Sequence, residues 1–258
     1  MDVTITLDLV VILFAVATAA GFVDSIAGGG GLIAMPALLA AGLSPVQALA
    51  TNKLQGTGGT LSASFYFISR GAVHLREIRL AIVMTFIGSM LGTLLVQRID
   101  AGVLEQAIPF LMIGIVLYFI FSPRLSSDQS RQVISLSVFS FTVAVVIGFY
   151  DGFFGPGTGS FFTIAFVSLL GYSITSATAH TKVLNCTSNI ASLLFFIIGG
   201  HVVWTIGLVM MVGQVLGARL GSGMVLSRGQ TVIRPMIVCV SLAMTVKLLW
   251  GNYGHLLQ

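Results

Sequence analysis

The sequence predicts an all-α polytopic membrane protein built from two inverted five-segment repeats. Three observations predict it. Of 258 residues, 56% are hydrophobic and only 8% are charged, against about 25% charged in a soluble domain. The apolar runs are long and continuous, as at 80–96, 108–121 and 133–150. The second half of the chain also repeats the motifs of the first.

A soluble globule needs a polar skin, and a mean hydropathy of +1.04 leaves none. A helix needs about 20 apolar residues to cross the bilayer core, so the chain has room for roughly ten crossings and no soluble domain. Outer-membrane barrels show short alternating segments instead. The net charge of +4 comes from scattered residues, which is not the clustered basic face that nucleic-acid binding requires. The two cysteines, Cys186 and Cys239, sit in apolar segments without a CxxC or Cys/His pattern, so neither a disulfide nor a metal site is expected. No cofactor is expected either. The N-terminal stretch carries Asp2 and Asp8 and lacks the basic region of a signal peptide.

The repeat is read directly. Gly21-Phe22-Val23-Asp24 recurs as Gly148-Phe149-Tyr150-Asp151. The run Gly28-Gly29-Gly30-Gly31 meets Gly155-Pro156-Gly157-Thr158-Gly159. Ala50-Thr51-Asn52-Lys53 meets Ala179-His180-Thr181-Lys182, and Gly88 and Gly92 meet Gly217 and Gly221. The organisation is an N-terminal repeat at 1–121, a cytoplasmic linker at 122–132 and a C-terminal repeat at 133–258. Helical segments are expected near 7–26, 32–42, 45–68, 78–97 and 103–121, then 133–153, 160–170, 174–198, 204–226 and 231–249. The second segment of each half spans only about half the bilayer. That makes about eight full transmembrane helices plus two short half-helices or re-entrant elements.

Loop arginines set the orientation. Arg70, Arg76, Arg79, Arg124, Arg131 and Arg228 fall on one side if both termini lie outside a cytoplasmic membrane. The loop 69–79 holds three arginines, whereas its repeat equivalent near 199–203 has His201 and no Lys or Arg. Equivalent loops on opposite faces imply a pseudo-two-fold axis in the membrane plane.

Inverted repeats with interrupted helices are the pattern of secondary transporters, which hold substrate near the midplane against half-helix N-termini. Both glycine runs precede short segments, where glycine permits a backbone anion nest. Tight helix packing is the other reading of glycine. The candidate backbone donors are Gly28, Gly29, Gly30, Gly31, Gly155, Gly157, Thr158 and Gly159. Ser44-Pro45 and Ser173 read as helix starts. They place Lys53 and Lys182 about 12 Å inside their helices, near the midplane, where an ionisable side chain is costly. An ammonium suits a compact oxyanion. Asn52, Gln55, Thr57, Thr181, Asn185, Ser188 and Asn189 could complete a polar lining, though Asn and Thr also hold helices together. Asp24 and Asp151 fit three roles: lysine counter-ions, proton carriers or caps of the loop. His180 could titrate near neutral pH or simply pack.

These stretches resemble the TauE/SafE family of membrane transporters (the sulfite exporter or TSUP family), with most likeness to its YfcA-like branch. Residues 21–32, 48–55, 148–160 and 177–185 carry the resemblance, which extends over nearly the whole chain. It implies a bacterial inner-membrane carrier of small sulfur-containing anions such as sulfite, thiosulfate, sulfoacetate and related sulfonates. The expected partners are that anion and the lipid bilayer, with no nucleic acid. A proton or another coupling ion and self-association stay open. The alternatives are a passive anion channel and a carrier of a small carboxylate. An enzyme is not expected, because HExxH and a nucleophile elbow are absent.

Overall fold

The computed structural model describes residues 6–121 and 131–228. Among them every element is a helix. The order is α1 (Leu7–Ala27), α2 (Gly30–Ala40), α3 (Pro45–Ser69), α4 (Arg79–Val96), α5 (Ala101–Phe121), α6 (Leu136–Phe153), α7 (Thr158–Leu170), α8 (Ile174–Ile198) and α9 (Trp204–Arg228). The segment expected at 231–249 lies outside the described residues.

Local sequence accounts for the helix ends. The Ser44 hydroxyl accepts from the Gln47 N–H, Gln47 returns the bond to the Ser44 N–H, and Pro45 supplies the pre-set φ at the first position. The hydroxyls of Ser135 and Ser173 accept from the N–H groups of Val138 and Ser176 at the starts of α6 and α8, without the returning bond. α1 stops at Gly28, whose φ of +76° no β-carbon residue adopts easily, and whose N–H bonds the Asp24 carbonyl at 2.7 Å. α6 contains one π-helical turn, Ser140–Ala144, where Ser140 and Thr142 donate back to the carbonyls of Leu136 and Val138.

Among the described residues, five helices are long and apolar enough to cross a membrane: Leu7–Ala27, Arg79–Val96, Leu136–Phe153, Ile174–Ile198 and Trp204–Leu226. α3 has 25 residues yet is less hydropathic, because its inward face carries Asn52, Lys53, Gln55, Thr57, Thr60 and Ser64, all buried. The opposite surfaces are apolar: Phe65, Phe110 and Ile198 are 71%, 71% and 80% exposed, as expected of a lipid-facing belt.

α2 and α7 have 11 and 13 residues, or roughly 16 and 20 Å, against a bilayer core of about 30 Å. Both start two residues earlier than the sequence suggests. Gly30-Gly31 and Thr158-Gly159 form first turns rather than loop, because Gly29 and Gly157 already serve as the N-cap residues.

Glycine lets helix backbones nearly touch. α1 packs along α9, and a β-carbon at Gly217 or Gly221 would lie 2.0 or 2.5 Å from the carbonyl oxygens of Thr18 or Phe22. α4 packs along α6, and a β-carbon at Gly88 or Gly92 would lie 2.2 or 2.0 Å from those of Val145 or Phe149. Gly21 and Gly148 meet the carbonyls of Gln214 and Thr85 in the same fashion.

Candidate functional site

Asp24 stands one turn before the end of α1, and Asp151 in the last turn of α6. Lys53 and Lys182 are each the ninth residue of their helices, α3 and α8. The equal depth follows from the equivalent serine caps. The pairs form across the two halves of the chain. Lys53 Nζ lies 2.8 Å from Asp151 Oδ2, and Lys182 Nζ lies 3.2 Å from Asp24 Oδ2. Lys182 also donates to the Asp24 carbonyl, and the Gly30 N–H donates to Asp24 Oδ1 at 3.2 Å. All four ionisable side chains are buried.

The glycine runs bring the short helices together. A β-carbon at Gly28 would lie 2.3 Å from the Gly159 carbonyl carbon, so the two backbones cross in direct contact. Ser160 Oγ donates across this crossing to the Ala27 carbonyl at 2.5 Å. Gly155, at φ +98°, leaves room for the lysine, since a β-carbon there would sit 2.8 Å from Lys53 Nζ.

A polar cavity of about 30 Å³ opens beside Lys53. One water needs roughly 10–15 Å³ on the same measure, so the space suits a few waters or one compact ion. Asp24, Asp151, Gly28, Gly31, Gly155, Asn52 and Asn185 line it together with Lys53. These eight are among the residues singled out from the sequence.

The other candidates stand elsewhere. Lys182 is sealed behind Asp24 and does not reach the cavity. Gln55 Nε2 donates to Asn52 Oδ1 at 2.7 Å, which leaves the Asn52 amide N–H₂ for the cavity side. Gly29, Gly30, Gly157, Thr158 and Gly159 build the caps and the crossing. Thr181 accepts from Thr163 Oγ1 at 3.1 Å. His180 bonds the Ser176 carbonyl through Nδ1 at 2.8 Å and packs its ring against Tyr172 and Phe166.

Asn189, also a sequence candidate, joins the lining, and three lining residues were not among those candidates: Gly56, Thr60 and Gln214. Gln214 had a readable signal, as the one amide in the apolar run 204–226. It is 2% exposed, and its Oε1 has no hydrogen-bond partner among the described residues. Gly59 makes room for it, since a β-carbon there would meet Gln214 Cγ at 2.4 Å. A buried amide left unsatisfied costs about 1–3 kcal/mol. Gln214→Leu, which removes the unsatisfied amide, is therefore expected to leave thermal stability within about 1 kcal/mol of the parent or to raise it, as thermal unfolding would check.

The family model "Sulfite exporter TauE/SafE" matches residues 13–248. The chain is 56% identical over 245 residues to the "Probable membrane transporter protein YfcA" of Escherichia coli K12, covering 95% of this chain and 91% of that one. It is 51% identical over 252 residues to a "Probable membrane transporter protein" of Haemophilus influenzae, covering 98% of each. A "Probable membrane transporter protein YunE" of Bacillus subtilis is 24% identical, covering 82% of this chain and 87% of that one. No solved structure matches. With a multi-pass helical architecture and a family match across nearly its whole length, the chain belongs to the TauE/SafE sulfite exporter family of membrane transporters.

Proposed function

We propose that the protein is a secondary transporter that moves a small sulfur-containing anion across the cytoplasmic membrane by alternating access. Sulfite, thiosulfate, sulfoacetate and related sulfonates are the candidate substrates. The observation that carries this reading is the small cavity lined by a buried ammonium, Lys53, and by the amides of Asn52, Asn185, Asn189 and Gln214. A cation with converging N–H donors is what a compact oxyanion requires.

In this reading the chain is two inverted repeats, 1–121 and 133–258, joined by a cytoplasmic linker at 122–132, with about eight full transmembrane helices and two short ones. Equivalent glycines meeting equivalent carbonyls in the α1–α9 and α4–α6 seams support the repeat, as does the crossed pairing of Lys53 with Asp151 and Lys182 with Asp24. The short helices α2 and α7 supply N-terminal N–H groups next to the substrate. The cavity reaches one lysine and leaves the other sealed, as one end state of an alternating cycle would. Both termini lie outside.

Counterflow in proteoliposomes tests this. Purified protein preloaded with unlabelled sulfite, thiosulfate or sulfoacetate is expected to take up the labelled anion saturably, with stimulation from the opposite side. A passive channel would give linear, unstimulated flux. Stimulation by acetate alone would assign the site to carboxylates.

A further inference from the structure

The buried charges of the site already cancel. Lys53 and Lys182 supply two positive charges, Asp24 and Asp151 two negative, and all four are at most 8% exposed. An entering anion adds a charge for which no cation remains among the described residues that line the cavity. Lys182 is held by both the carbonyl and the carboxylate of Asp24. Amides such as Asn52 and Gln214 can donate to the anion but cannot neutralise it. An uncompensated charge in a low-dielectric interior costs at least several kcal/mol.

The geometry also shows which group must yield. Asp151 Oδ2 occupies the position 2.8 Å from Lys53 Nζ that an oxyanion would take. Apart from Lys53, no group donates to that oxygen among the described residues. Asp24 is different, since the Gly30 N–H and Lys182 both hold its carboxylate. The ionisable groups facing Asp151 are few. Among the described residues, α3 presents Lys53 and α1 presents Asp24, both lining the same cavity as Asp151, whereas on α8 Lys182 is held by Asp24 and the buried Cys186 is not part of the lining. His180, also on α8, is bonded to Ser176 and packed on Tyr172. α4 has only Arg79, at its start, and α7 has no ionisable residue. Tyr150, on α6 itself, donates its hydroxyl to the Pro156 carbonyl at 2.6 Å.

We propose that an anion displaces the Asp151 carboxylate from Lys53, that Asp151 then takes up one proton, and that anion and proton cross the membrane together. The proposal rests on the transport reading and names its coupling ion. One proton joins one monoanion, so the loaded site keeps the balance of the empty one and the cycle carries no net charge.

Methanesulfonate is a suitable probe, being small and singly charged at every working pH. Proteoliposomes at pH 8 inside and pH 6 outside, with the membrane potential clamped to zero, are expected to accumulate it about 100-fold, the ratio set by two pH units at one proton per anion. In Asp151→Asn the accumulation ratio is expected to fall to about 1, with counterflow at equal pH slowed but measurable. Accumulation in Asp151→Asn equal to that of the parent would overturn the proposal, as would accumulation driven by an inside-positive potential without a pH gradient. If that variant does not fold, a pH indicator on the parent decides: about one proton taken up per methanesulfonate bound supports the proposal, and none overturns it. Absence of counterflow at equal pH for methanesulfonate, sulfite, thiosulfate and sulfoacetate alike would remove the transport reading itself, and the proposal with it. That failure is recognised because no pH gradient is involved.

Discussion

Lys53→Met is expected to abolish anion transport and to destabilise the protein by about 3–5 kcal/mol, the cost of leaving one member of a buried ion pair without its partner. The stranded member is Asp151, 2% exposed and deprived of the ammonium 2.8 Å away. Removing it as well separates the two effects. The double variant Lys53→Met/Asp151→Leu replaces a buried pair by apolar side chains, a change that is often neutral for stability. It should therefore regain most of the lost stability and none of the transport. Thermal unfolding in detergent and counterflow in proteoliposomes read the two outcomes separately. Transport by Lys53→Met at the parent rate would remove Lys53 from the site.

Gly28→Ala is expected to cost about 2–6 kcal/mol and to disturb assembly of the site. Two penalties combine at this position. The φ of +76° is strained for any residue with a β-carbon, at about 1–3 kcal/mol. The added carbon would also lie 2.3 Å from the Gly159 backbone, which has no side chain to swing aside, and overpacking typically adds about 1–3 kcal/mol. Gly42 isolates the first penalty. It has a similar φ of +88° with nothing within 4 Å of an added β-carbon, so Gly42→Ala should lose only the conformational part. Equal melting temperatures for the two variants would show that the crossing of α2 and α7 tolerates separation.

Much of this architecture is legible in the sequence because its causes are local. Ser44-Pro45 and Ser173 announce the starts of α3 and α8, and counting from them puts Lys53 and Lys182 at equal depth. The role of the glycine runs is harder to read. Gly28 and Gly159 are 131 positions apart, and only the packed chain shows that one presses on the other. The sequence treats the two lysines as equals, whereas the structure gives a cavity to Lys53 and seals Lys182. That inequality arises from how the two halves pack around each lysine, which repeat motifs do not encode. His180 has the chemistry of a proton carrier, but its place is fixed by Ser176 and Tyr172, which no motif connects to it. Gln214 escaped because a single amide within an apolar helix can equally serve helix packing.

The crossed ion pairs also bear on how the chain is made. α3 leaves the ribosome with Lys53 near its centre, while Asp151 lies on α6, a helix not yet synthesised. A lysine at the centre of a spanning helix opposes insertion by about 2.5–3.5 kcal/mol, and α3 is not among the helices apolar enough to cross unaided. Asp24 likewise enters on α1 and waits for Lys182, 158 residues later. The first half of the chain therefore brings in both a carboxylate and an ammonium before either partner is made. If α3 spans the bilayer, its stable insertion is expected to wait for α6 to receive its lysine, so truncation before α6 should leave α3 poorly inserted in a membrane-integration assay.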